Sequence, residues 1–84
     1  MKHPTEADFT VQKNGSSVIV TFRPTESYYT FPLLPLSERA KHGKVSRNAK
    51  VRHAGKHGDT DRYMEQEVFD LAFRLAEQSS SRVL

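Results

Sequence analysis

Cysteine is absent from the 84 residues, so neither a disulfide framework nor a thiolate metal site can be built. That absence fits a reducing compartment, and a cytoplasmic location is the expectation. No apolar run is long enough to span a bilayer, and the opening stretch Met1 to Asp8 lacks the apolar core of a secretory signal. The expectation is a complete short gene product with no membrane partner. Length is scarce too: a domain of this size buries only ~60% of the surface its unfolded chain exposes, enough for one core with little stability to spare.

What is present is concentrated in Val18-Ile19-Val20-Thr21-Phe22, a β-branched and aromatic run flanked by the turn residues Asn14-Gly15 and Pro24 to Ser27. A type I′ turn at Asn14-Gly15 would set Phe9 against Val20 and Val11 against Val18. A four-residue loop over Pro24 to Ser27 would set Phe22 against Tyr29, Val20 against Phe31 and Val18 against Leu33. Both turns place apolar residues on one face and Thr10, Gln12, Ile19, Thr21, Arg23, Tyr28 and Thr30 on the other, and a one-residue slip would invert the two sets. Residues 7–33 therefore read as a three-stranded antiparallel β-meander. Pro32 and Pro35 then confine the third strand to an edge, with Leu33, Leu34 and Leu36 as a hydrophobic strap.

Toward the C-terminus, Asp59-Thr60-Asp61 supplies capping oxygens, and an amphipathic pattern runs over residues 60–78. Met64, Val68, Leu71, Ala72 and Leu75 share its apolar stripe, which predicts packing on the sheet's apolar face. Residues 79–84 read as a frayed tail. The expected fold is α+β, a β-β-β-α single domain with one C-terminal helix. Phe69 and Phe73 fall outside the stripe, so the basic segment, the leucine strap or a second copy in a homodimer should cover them.

Residues 37–58 differ in kind. Acid is nearly missing there: seven cations, Arg39, Lys41, Lys44, Arg47, Lys50, Arg52 and Lys56, face the single carboxylate Glu38, a formal +6. The other 62 residues carry six bases and nine acids, a formal −3. Apolar residues are sparse and Gly43, Gly55 and Gly58 interrupt any helix. A short helical turn over Glu38 to His42, capped by Ser37, and a brief strand over Lys50 to His53 are the structures that composition permits. A connection of this length within a small domain is usually functional or disordered.

A cluster of this charge binds phosphates through counterion release, without base-specific geometry. The reading from sequence is a non-enzymatic nucleic-acid-binding protein whose contacts are Arg39, Lys41, His42, Lys44, Arg47, Lys50, Arg52, His53 and Lys56, with Arg23 and Tyr28 on the polar sheet face. The alternative is a phage-type inhibitor that addresses an acidic protein surface with the same charge and covers it with Phe69, Phe73, Leu34 and Leu36. A third reading takes Ala40-Lys41-His42-Gly43 and its echo Gly55-Lys56-His57-Gly58 as proton-transfer and phosphate-stabilising groups of a metal-independent ribonuclease. His53 and His57 stand at a metal-compatible spacing with Asp59 nearby, but Gly55 between them opposes the helix that spacing needs, and no metal or cofactor is expected.

Phe9-Thr-Val-Gln-Lys-Asn-Gly-Ser-Ser17, Phe22-Arg23-Pro24 and Thr30-Phe31-Pro32 together resemble the strands of HicA-type toxin ribonucleases, which have a double-stranded-RNA-binding-like fold. The resemblance spans less than a third of the chain. Ser17 stands where that family has its histidine, and too few residues precede Phe9 for the family's opening helix, so its activity is not carried over.

Overall fold

The computed structural model describes residues 3–35, 37, 44–54 and 63–81. A 3-10 turn over Glu6–Asp8 leads into β1 (Phe9–Asn14) and β2 (Ser17–Phe22), and a second over Arg23–Thr25 leads into β3 (Ser27–Pro32). β4 (Lys50–His53) and the helix α1 (Glu65–Ser81) follow. The class is α+β as expected, but the antiparallel sheet has four strands in the order β1-β2-β3-β4, not three. The brief strand that Val51 and its neighbours permitted pairs with β3, setting Arg52 opposite Tyr28 and Lys50 opposite Thr30.

Both hairpin registers differ from the expected ones by one pairing step, and in both cases the faces survive. A type I′ turn needs φ > 0 at both central residues, but in this turn only Gly15, at φ 62°, has it. The central pair is Gly15-Ser16, the Gly-first arrangement of a type II′ turn, so Asn14 pairs with Ser17 and Phe9 with Phe22. In the second connection Glu26 takes a left-handed conformation (φ 50°, ψ 48°) and its N–H donates to the Arg23 carbonyl at 3.2 Å. The loop closes one residue early, over Arg23 to Glu26, so Val20 pairs with Tyr29 and Val18 with Phe31. Each correction moves a partner by two residues, which a period-2 strand absorbs without turning any side chain over.

Alternation then sorts the sheet. Phe9, Val18, Val20, Phe22, Tyr29 and Phe31 point to the inner face and are buried. Val68, Ala72 and Ala76, spaced by four on α1, are buried against them, with Leu71 and Leu75 partly buried beside them. The two alanines are fully enclosed, which lets the helix backbone approach the sheet closely. Met64 lies ahead of α1 and is 47% exposed, outside the stripe expected for it, while Ala76 extends that stripe. The helix starts later and ends later than the pattern predicted, and the expected capping residues Asp59 to Asp61 lie outside the described residues. Val11 has inward parity but stays 38% exposed.

β3 is an interior strand, not an edge. Pro32 closes it without a donor, yet its carbonyl still accepts the Ser46 N–H at 2.8 Å, and Leu34 N–H donates to the Lys44 carbonyl at 3.0 Å. Leu33 and Val45 form an isolated bridge there, and Val45 is buried in the core. The start of the described basic segment is thus sewn to the end of β3.

Phe31 is completely buried and touches Tyr29, Phe69 and Phe73, with ring centroids 5.6 to 6.4 Å apart. Phe31→Ala should cost about 3–5 kcal/mol, a large share of the roughly 5–15 kcal/mol of a domain, and lower the urea midpoint accordingly. Burial, with a smaller contribution from the Glu65 carboxylate, pushes the Tyr29 phenol up to about 12. The folded state therefore keeps a proton that the unfolded chain, at about 10, gives up. Stability from this group is complete below pH ~10 and is lost as pH rises through about 12. Tyr29→Phe should flatten that part of the fall in a denaturation series across the alkaline range.

Candidate nucleic-acid interface

Helix α1 covers one face of the sheet, and among the described residues no element packs on the other. The outward positions are Thr10, Gln12 and Asn14 on β1, Ser17, Ile19 and Thr21 on β2, Tyr28, Thr30 and Pro32 on β3, and Lys50 and Arg52 on β4. None of these is buried, and none is a carboxylate. Ile19, Tyr28, Thr30, Lys50 and Arg52, together with Val51 and Ala54, line a shallow depression of about 460 Å³. Tyr28 is 37% exposed and sits directly between Thr21 and Arg52 in the pairing.

Other cations of the segment have different positions. Arg47 donates to the Asp70 carboxylate at 2.8 Å, and its guanidinium lies 4.6 Å from the Phe73 ring centroid and 5.3 Å from that of Phe69. The helix neutralises its charge. The backbone N–H groups of Lys44 and Val45 both donate to the Glu77 carboxylate, at 2.7 to 2.9 Å, while the Lys44 residue stays exposed. Phe69 and Phe73, expected to need a cover, are half-buried on the core beneath Arg47, so no second copy is required to shield them. Leu34 is likewise half-buried.

Arg23 leaves the sheet because the loop closes early. It does not pair with Tyr28, and its guanidinium donates to the Ala7 carbonyl. His53 has the parity of Val51, not of Lys50 and Arg52, so it belongs to the inner side. Its Nδ1 shares a 2.7 Å hydrogen bond with Ser27 Oγ, which shares another of 2.7 Å with Thr25 Oγ1, and its Nε2 lies 3.3 Å from Glu65 Oε1. A hydroxyl, an imidazole and a carboxylate in series are the parts of a nucleophile relay. Ser27, however, is 1% exposed and held on two sides, so it joins β3 to β4 and offers no open face to a substrate. Arg39, Lys41, His42, Lys56 and Leu36 lie outside the described residues, as do the His57 and Asp59 of the metal spacing and the turn expected after Ser37.

The face thus unites Tyr28, Lys50 and Arg52 from the sequence reading and adds Ile19 and Thr30, which it had not singled out. The alternation of Lys50-Val51-Arg52-His53 was the signal that could have split the cations from the histidine. No family model, curated protein or solved structure matches the chain.

The Arg47 hydrogen bond, chiefly, holds the Asp70 carboxyl below the usual carboxylate range, with the Gln66 amide, 2.9 Å away, helping and desolvation opposing. Stability from this exposed contact is present above the unfolded pKa and lost as pH falls through the folded one. NMR titration of Asp70 should return a depressed value in the wild type that moves back toward ~3.9 in Arg47→Ala.

Proposed function

We propose that this is a small non-enzymatic nucleic-acid-binding protein whose basic segment supplies the phosphate contacts. The observation that carries the reading is the position of Lys50 and Arg52: both point outward from β4, beside Tyr28, on a sheet face with no carboxylate at its outward positions. Phosphate binding needs exposed cations not already neutralised by acids, and among the described residues Lys50 and Arg52 form no ion pair, whereas Arg47 pairs with Asp70. Lys44 is also exposed, but its backbone N–H is held by the Glu77 carboxylate, so the reading rests on Lys50 and Arg52.

The alternative, a protein that occludes an acidic partner surface, draws on the same cations. Its apolar half is weaker, because Phe69 and Phe73 are already engaged by Phe31 and Arg47. A salt-titrated assay against duplex DNA, single-stranded DNA and RNA separates the two readings. Lys50→Ala with Arg52→Ala should flatten the slope of log K against log salt by about 1.4 on single strands and about 1.8 on duplex DNA, at roughly 0.7 and 0.9 per phosphate. Circular dichroism should stay unchanged, since neither residue belongs to the core. Absence of binding to every nucleic acid at ~50 mM salt would overturn the proposal in favour of the protein partner.

A further inference from the structure

Resting on that reading, we infer that the outer sheet face takes single-stranded nucleic acid, with an unstacked base on Tyr28 and the adjoining phosphates along Lys50 and Arg52. The pairing supplies the layout. Lys50 and Arg52 are two residues apart on one strand, so their side chains form a row of positive charge with Cα atoms roughly 6.6 Å apart. Tyr28 and Thr30 form the next row, directly opposite them, and Ile19 and Thr21 the row after that. A polynucleotide backbone lying along the cationic row directs its bases across the second and third rows. Opposite Arg52 they meet the Tyr28 ring and then the Thr21 hydroxyl, and opposite Lys50 the Thr30 hydroxyl and then the Ile19 side chain, diagonal to the ring.

The chemistry of these rows favours a single strand over a duplex. In a duplex the bases stack on one another and present only their edges in the grooves, so an aromatic side chain on a shallow surface has no base face to contact. In a single strand every base has a free π-face, and stacking on an aromatic residue is tolerant of sequence. Tyr28 is more than a third exposed, in a depression of about 460 Å³ that is broad and open instead of a closed pocket. Ile19 beside it adds apolar area that hydration makes unfavourable to leave open and that a base plane would cover. Charge alone would serve any polyanion. The neighbouring ring is what distinguishes a base-bearing one.

The experiment uses the full chain and fluorescein-labelled 12-residue oligo(dT) and oligo(U), a duplex of about the same length, and inorganic polyphosphate as an anion without bases. Tyr28→Ala should weaken binding to the single strands about tenfold or more, Tyr28→Phe should bind them nearly as the wild type does, and polyphosphate affinity should be the same for all three proteins. Thermal melts check that both variants fold. Tyr28→Phe keeps the test valid if the alanine variant does not, since upfield movement of the ring-proton signals at position 28 on oligo(dT) addition reports stacking directly. Duplex binding that exceeds single-strand binding, with Tyr28→Ala without effect while Lys50→Ala and Arg52→Ala weaken it, would overturn the single-strand inference and leave the nucleic-acid reading standing. Failure of every oligonucleotide to bind would overturn both.

Discussion

The burial of Phe31 organises this molecule. Its ring sits at the centre of the inner face, fully removed from water, with Phe69 and Phe73 of α1 against it and Tyr29 alongside. The helix must therefore lie across the inner face, and the two phenylalanines come to its flank instead of its buried stripe. That flank needs a cover. Arg47 provides it, and in doing so draws the chain between β3 and α1 over the helix edge, where Glu77 accepts the backbone N–H groups of Lys44 and Val45. From there the chain returns beside β3 as β4.

The energies involved are unequal. Burying aromatic side chains of this size is worth several kcal/mol each, whereas an exposed ion pair such as Arg47 with Asp70, screened by water and opposed by side-chain entropy, adds little to stability. The apolar contacts hold the domain together, and the polar ones choose which way the basic segment goes. The backbone hydrogen bonds to the end of β3, the Glu77 carboxylate and the Arg47 contacts act together on a short stretch, so their joint effect on its path exceeds what any of them adds to stability. The His53 contacts act likewise at the far end of β4. Buried hydroxyls need partners, and Thr25 and Ser27 satisfy one another and the imidazole.

One consequence concerns charge. Counting cations along residues 37–58 treats them as equivalent, but a strand's alternation and a helix's acids divide them. Arg47 is neutralised by Asp70, His53 turns inward, and Lys50 and Arg52 face outward with no acid among the strand positions around them. Among the described residues, this division decides where positive charge stands unneutralised on the surface.

Alternating apolar residues in Phe9 to Phe31 and the 3.6-residue period after Met64 were enough to determine the α+β class, the two faces of the sheet and the packing of a C-terminal helix on one of them. These follow from local periodicity, which is a property of neighbouring residues alone. Tyr28 was legible on the polar face for the same reason, whereas Lys50 and Arg52 were legible only as members of the local excess of cations. The hairpin registers were not, because they depend on which residue of Asn14-Gly15-Ser16 and of Arg23 to Glu26 takes the left-handed conformation, a choice whose alternatives differ little locally and are decided by how Phe9 meets Phe22 and how Tyr29 meets the helix. Nor could periodicity tell that β4 pairs with β3, that Arg47 covers Phe69 and Phe73, or that Arg23 bonds Ala7, since each joins residues distant in sequence. A contact of that kind has no local signature: its free energy exists only once the helix and sheet have met, so tertiary packing alone decided which of the described cations are neutralised and which remain exposed.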